Sequence, residues 1–173
     1  QARNTYDFVA PEEISSGEIQ HYPVVIVGGG PIGLSTAISL AQRGIKSIVL
    51  EKYNTVSDGS RAICWAKRTL EIFDRLGTGD RMVEKGVVWN QGKVYFGKDP
   101  EPIYGFDLLQ DKEQKYPAFI NLQQFYAEEY LIELFPQYPQ TQIRWQNEVV
   151  DIDNGKDKVT ATVKTPDGNY KIS

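Results

Sequence analysis

At 173 residues the chain is long enough for one ordinary domain with a sizeable core. Its formal net charge of −4 and pI near 5.1 give no basic footprint for nucleic acid, and no run of about 18 apolar residues offers a membrane-spanning helix. A single cysteine, Cys64, and a single histidine, His21, exclude an internal disulfide and all but exclude a Cys/His metal set, and the lone thiol suits a reducing, cytoplasmic compartment.

Residues 1–20 carry Glu12, Glu13 and Glu18 with no apolar core segment or basic lead, which speaks against a signal peptide and predicts an extended arm on the domain surface. His21 precedes the first strand. Val24, Val25, Ile26 and Val27 are four β-branched residues in succession, the pattern of a buried parallel strand. Gly28-x-Gly30-x-x-Gly33 follows without a gap. Gly28 permits the tight turn out of the strand, Gly30 lets the backbone approach a pyrophosphate, and Gly33 removes the side chain where helix meets sheet. Pro31 suits the first helical turn, where its missing N–H would have no intrahelical partner. Gly33, Ala37, Leu40 and Ala41 fall at helical spacing and predict the packed face, with Gln42 and Arg43 in water and Gly44 as the stop. The start of this helix offers free N–H groups and a partial positive charge to phosphate.

Residues 47–50 form the second predicted strand, which ends at Glu51. That carboxylate lies about 20 residues past the fingerprint, where an acid accepts hydrogen bonds from an adenosine ribose. A free glutamate there disfavours a 2′-phosphate, so the site suits FAD or NAD rather than NADP. The glycine pattern alone is a weak signal. Strand, helix, second strand and acid in register make it a strong one.

A plain nucleotide-binding dehydrogenase would continue alternating strand and helix after Glu51. Here residues 52–65 form a polar loop with Ser57, Asp58, Gly59, Ser60 and Arg61. A helix over 66–76 buries Ala66, Leu70, Phe73 and Leu76 and ends at Gly77, and a short helix over 80–85 is closed by Gly86. Strand-like stretches at 87–96 and 103–108, broken at residues 98–100 and Pro102, predict an antiparallel insertion. A helix over 123–135, with Ala127, Tyr130, Leu131 and Leu134 on one face, is stopped by Pro136. Residues 142–145 read as a third parallel strand. Residues 148–153, 158–165 and 170–172 alternate as a β-meander with turns at Asn154-Gly155 and Pro166-Asp167-Gly168.

The fold class is therefore α/β: a Rossmann-like parallel sheet with an inserted antiparallel region and a β-meander. Sequential crossovers place the third strand beside the second and leave residues 24–27 at the sheet edge. An apolar edge invites aggregation unless it is covered. The chain is thus expected to be the N-terminal part of a longer protein, with an arm at 1–20, the start of a nucleotide-binding domain at 21–173, and the covering strand after Ser173.

The chain from about His21 to Ser173 resembles the FAD-dependent aromatic hydroxylases, the single-component flavin monooxygenases, and within them the phenol and 3-(3-hydroxyphenyl)propionate hydroxylase branch. Three motifs carry the resemblance: Val27-Gly28-Gly29-Gly30-Pro31-Ile32-Gly33-Leu34 with Glu51-Lys52; Gly59-Ser60-Arg61-Ala62 with Arg68-Thr69-Leu70-Glu71; and Asn121-Leu122-Gln123-Gln124 opening a helix. The first is common to many flavoproteins, whereas the second and third together are fairly specific. The resemblance implies cofactor contacts at Gly28, Gly30, Pro31, Ile32, Gly33, Glu51 and Lys52. It places Arg61 by the FAD ribityl and pyrophosphate, where a guanidinium can fork onto phosphate oxygens. It brings a helix-opening glutamine to the flavin side, and the seven-residue spacing to Leu131 selects Gln124 over Gln123. It sets the Val149 backbone near adenine. It also implies NADPH or NADH as reductant, molecular oxygen and a small aromatic substrate as partners, and transfer of one oxygen atom to an activated phenol ring.

No residue is a convincing acid, base or nucleophile, and the catalytic groups are expected after Ser173. Asp58, Glu71, Asp74 and Asp107 read as solvated carboxylates. Cys64, Trp65 and Lys67 read as core packing or a solvated helix start rather than cofactor lining. Two alternatives stay open: an NAD-dependent dehydrogenase, which explains Glu51 but not the Arg61 loop or the insertion, and a dinucleotide-binding module without turnover. Homo-oligomerisation is open as well.

Overall fold

In chain order the computed structural model forms α1 (Glu12–Ser16), β1 (Val25–Val27), α2 (Pro31–Ala41), β2 (Ser47–Glu51), β3 (Cys64–Ala66), α3 (Lys67–Leu76), α4 (Gly79–Lys85), β4 (Val87–Trp89), β5 (Gln91–Val94), β6 (Tyr104–Asp107), β7 (Phe119–Asn121), α5 (Gln124–Ile132), a 3-10 turn (Phe135–Gln137), β8 (Thr141–Trp145), β9 (Glu148–Asn154), β10 (Val159–Thr165) and β11 (Gly168–Ile172). The structure describes residues 3–59, 61–108 and 113–173. They fall into two compact units, Gln1–Gly59 with Glu128–Ser173, and Ser60–Ala127.

In the first unit the β-branched run becomes β1, which pairs with β2, and β2 pairs with β8, all parallel and in the order β1-β2-β8. The predicted edge position of the first strand is what the sheet shows among the described residues, and Val27 is exposed. The buried face of α2 is Leu34, Ala37, Ile38 and Ala41. Leu40, expected on that face, is only half-buried, because the apolar stripe runs from Leu34 rather than from Gly33. Ile48 and Leu50 alternate onto one face of β2 and join Ala161, Val163, Tyr170, Ile172 and Tyr22 in a single core. That core welds the parallel sheet to the antiparallel meander β9-β10-β11.

Residues 3–22 are more than the extended surface arm that their polarity suggests. Pro11 caps α1 with φ −66°, two glutamates occupy its first turn, and Gly17 ends it in the left-handed region at φ 70°. The arm then pairs with the meander, Ser173 N–H donating to the Gln20 carbonyl at 3.0 Å and Tyr22 N–H to the Ser173 carbonyl at 2.8 Å. Its Glu13 carboxylate is buried and meets Arg144 of β8 at 3.0 Å. The same guanidinium donates to the Tyr22 hydroxyl at 2.8 Å and the Tyr170 hydroxyl at 3.1 Å. Burial opposes the charge on Arg144, but its hydrogen bonds to Tyr170 and Glu13 outweigh that and raise its pKa.

The second unit holds the inserted antiparallel strands. β7 lies between β3 and β4, and β5 pairs with β6. The continuous strand expected at 87–96 is two strands in different sheets. Asn90 makes the break, its carbonyl accepting Leu108 N–H at 2.7 Å and its Oδ1 accepting Ala118 N–H at 3.2 Å. β3 occupies the end of the expected polar loop. Leu70, Phe73 and Leu76 are the buried residues of α3, and Gly77 ends it at φ 103°. Trp65 is core, its indole N–H donating to the Leu122 carbonyl at 2.7 Å. Cys64 is exposed, and Lys67 pairs with Glu71 on the helix surface at 3.7 Å. Helix α5 ends at Ile132, three residues short of the expected Phe135, which with Pro136 lies in the 3-10 turn. Among the described residues no helix is long and apolar enough to cross a membrane.

Removing one member of a buried ion pair strands the other, so Arg144→Met should cost about 3 to 5 kcal/mol, read from the midpoint of chemical unfolding. Burial raises the pKa of both Tyr22 and Tyr170, with Arg144 acting in the opposite direction. The neutral phenols thus stabilise the fold fully below the ordinary tyrosine pKa of about 10, and that contribution is lost as pH rises through the raised values. Tyr170→Phe should flatten this alkaline decline.

Candidate cofactor-binding site

The loop from β1 to α2 contains three glycines held for three different reasons. Gly28 takes φ 101°, a conformation that L side chains rarely adopt, and its N–H donates to the Leu50 carbonyl at 2.9 Å. At Gly33 a Cβ would stand 2.1 Å from the Gly28 carbonyl oxygen and 3.2 Å from Ile26, so no side chain fits between helix and strand. Gly30 is unlike either. Its backbone is ordinary extended structure, φ −78° and ψ −178°, and a Cβ there would meet only Glu128 Oε1, at 4.0 Å. Neither conformation nor packing among the described residues demands glycine at 30.

Pro31 is the first residue of α2, Gly30 supplies no side-chain cap, and Leu34 N–H closes on the Gly30 carbonyl at 3.0 Å. The first-turn N–H groups ahead of Leu34 have no intrahelical acceptor, and such a helix start suits an anion. Ile32 is 81% exposed beside them.

Glu51 ends β2 and reaches back to this loop. Its Oε2 accepts Gly29 N–H at 2.6 Å and its Oε1 accepts Tyr53 N–H at 2.9 Å, while its carbonyl accepts Asn147 N–H at 2.8 Å. A carboxylate has about four acceptor positions. Two backbone donors fix its orientation and leave acceptor capacity for the vicinal hydroxyls of a ribose. Asn147 is itself buried and locked, with Nδ2 on the Trp145 carbonyl at 2.8 Å and the Tyr170 hydroxyl on Oδ1 at 2.7 Å. Gln146 takes φ 59° in the turn that brings Asn147 to Glu51.

Lys52 lies exposed over the Tyr53 ring at 4.7 Å, and the Tyr53 hydroxyl raises its pKa. Val149 lies in β9, half-buried against the core, beside the register shift between Thr162 and Val163. The first unit thus gathers Gly28, Gly30, Pro31, Ile32, Gly33, Glu51, Lys52 and Val149. Arg61 and Gln124 belong to the second unit, where Arg61 is exposed and Gln124 opens α5.

Glu128 was not foreseen. It is 1% exposed, and its Oε2 accepts Ser57 N–H at 2.6 Å, so it joins α5 to the loop after Glu51 while Oε1 faces Gly30. A signal existed. Glu128 stands between Gln124 and Leu131 at spacings of four and three, a carboxylate on the stripe predicted to be buried.

A parallel β1-α2-β2 unit with this glycine loop and an acid ending β2 is a dinucleotide-binding α/β domain. A family model described as FAD binding domain matches residues 21–173. The chain belongs to that family, with FAD as its cofactor, and its relatives include FAD-dependent aromatic monooxygenases. It is 31% identical over 150 residues to para-nitrophenol 4-monooxygenase of Pseudomonas sp. (strain WBC-3), covering 86% of this chain and 37% of that protein. It is 28% identical over 156 residues to a probable NADH-specific resorcinol 4-hydroxylase of Rhodococcus jostii (strain RHA1), covering 86% and 28%. Among solved structures, p-nitrophenol 4-monooxygenase PnpA from Pseudomonas putida DLL-E4 superposes with a TM-score of 0.80 at 30% identity, over 90% of this chain and 39% of that one. The chain therefore spans less than two fifths of the length of these relatives.

The three glycine environments separate experimentally. Gly33→Ala forces Cβ against a backbone carbonyl and should destabilise the protein by about 3 kcal/mol or more, seen as a lowered unfolding midpoint with or without cofactor.

Proposed function

We propose that the whole protein is a nicotinamide-dependent flavin monooxygenase that hydroxylates a phenolic or related aromatic compound, and that this chain holds the adenosine and pyrophosphate half of its FAD. The observation that carries the cofactor assignment is the pairing of Gly30, whose glycine has no internal cause, with Glu51, whose carboxylate is aimed by two backbone donors. Residues fit the cofactor as follows. The first turn of α2 offers its N–H groups to the pyrophosphate, Gly30 gives the backbone clearance, and Glu51 accepts from the ribose hydroxyls. Lys52 adds positive charge beside the site, the Val149 backbone borders adenine, and Arg61 and Gln124 serve the pyrophosphate–ribityl and flavin portions.

The flavin supplies the redox chemistry, acceptance of electrons from NADH or NADPH and transfer of oxygen to an electron-rich ring. The chain's contribution is to anchor and orient. The relatives named for p-nitrophenol and resorcinol support a phenolic substrate, and the one named as NADH-specific supports a nicotinamide reductant. The substrate pocket, and the strand that completes the sheet beside β1, are proposed to come from the remainder of the protein.

Purified whole protein should carry the visible absorption bands of flavin and consume NADH or NADPH faster when a phenol is present. Flavin bands without nicotinamide consumption would favour a binding module instead. Gly30→Ala should unfold like the parent within about 1 kcal/mol yet raise the FAD dissociation constant about tenfold or more. Glu51→Ala should weaken FAD by about 1 to 3 kcal/mol, the scale for hydrogen bonds to a charged group. Arg61→Ala should raise the FAD dissociation constant and slow flavin reduction, since a loosened cofactor is also misplaced. Unchanged titrations would remove each residue from the site.

A further inference from the structure

The family model begins at residue 21, so it assigns nothing to the arm. Yet residues 3–6 converge on the loop of residues 53–58 that leaves Glu51. Thr5 forms an antiparallel bridge with Thr55, Tyr6 N–H donates to the Asn54 carbonyl at 2.7 Å, and the Thr55 hydroxyl donates to the Asn4 carbonyl at 3.0 Å. Arg3 donates to the Ser57 carbonyl and pairs with Asp58 at 2.8 Å. The Tyr6 ring stacks on Trp145 with centroids 4.2 Å apart and planes within 7°. Trp145 is the register partner of Glu51 between β8 and β2.

The loop is held from its other sides as well. Ser57 N–H donates to buried Glu128, and the Tyr53 carbonyl accepts Gln146 N–H at 3.1 Å. Residues 53–58 have no helix or strand of their own beyond the single bridge at Thr55. Backbone fixed before a ligand arrives is backbone that binding need not order.

We propose that residues 3–6 are a strap that fixes the loop after Glu51 and so holds the Glu51 carboxylate ready for the adenosine ribose. The proposal rests on the assignment of Glu51 to that ribose. Tyr6 and Arg3 act as positioning residues through the loop. The strap's strength lies in the main-chain bonds and the Tyr6–Trp145 stack; the Arg3–Asp58 pair is exposed on the aspartate side and contributes little.

The test uses the whole protein with Tyr6→Ala, Tyr6→Phe and a deletion of residues 1–6. It measures dissociation constants for FAD and for ADP, together with amide hydrogen exchange. Tyr6→Ala should weaken FAD and ADP alike by about 3- to 10-fold, and the deletion should weaken both further. Tyr6→Phe keeps the stack and should bind as the parent does. In the weakened variants exchange should quicken at residues 53–58 while the meander keeps its protection. Three results would overturn the strap: unchanged constants in the deletion, a loss for FAD without a loss for ADP, or faster exchange spread across the meander, which would mark a merely structural role. A parent that binds neither FAD nor ADP would defeat the Glu51 assignment and the strap together. A parent that binds both, matched by the deletion, would defeat the strap alone.

Discussion

The organisation of the first unit depends on where one carboxylate points. Glu51 leaves the end of β2 and, instead of turning to solvent, closes on Gly29 N–H across 22 positions of sequence and on Tyr53 N–H two positions ahead. The first bond ties the glycine loop to the neighbouring strand, and the second turns the chain out of the sheet. Gly29 is part of the same contact, since a Cβ there would press on the Glu51 side chain at 3.3 Å. A charged acceptor with two main-chain donors is among the stronger local restraints available to a surface loop.

Around that restraint the unit divides into parts that must be rigid and parts that must stay open. The Gly33 contact and the Asn147 hydrogen bonds are tightly closed, and Arg144 ties Glu13 Oε1 to Tyr22 and Tyr170 while Glu13 Oε2 stays buried without a partner among the described residues. The outward side of Gly30 and the first turn of α2 are bounded by little of the unit's own structure. Packing thus accounts for one glycine and backbone conformation for another, while neither calls for the third among the described residues. This separation gives the glycine fingerprint physical content beyond its spacing.

The readable part of the sequence was the part in which local chemistry and fold coincide. β-branched residues made β1, glycines made its turn, and alternation with Asn-Gly and Asp-Gly turns made the meander, because each signal lies within a few residues of its effect. The order β1-β2-β8 followed from crossover rules. The illegible features depend on distant partners. Glu13 looks like a solvated arm residue until Arg144, 131 positions away, is brought beside it. β7 is three residues long and exists by virtue of β3 and β4 on either side of it. The strand expected at 87–96 failed because Asn90 offers its side chain in place of a ladder, a competition that residue type hints at but does not locate. In the candidate site the turn at Gly28, the close contact at Gly33 and the place of Glu51 at the end of β2 were legible from spacing, whereas the contacts of Glu128 and of the arm required the fold.

Glu51, aimed by Gly29 and Tyr53, is proposed to receive the adenosine ribose of FAD. Crystallography of the whole protein with FAD bound tests it most directly. The two ribose hydroxyls should donate to the Glu51 carboxylate at about 2.5 to 3.0 Å, with both backbone bonds to that carboxylate retained and the pyrophosphate over Gly30. An adenosine ribose bound elsewhere, with Glu51 left to its two backbone donors alone, would contradict it.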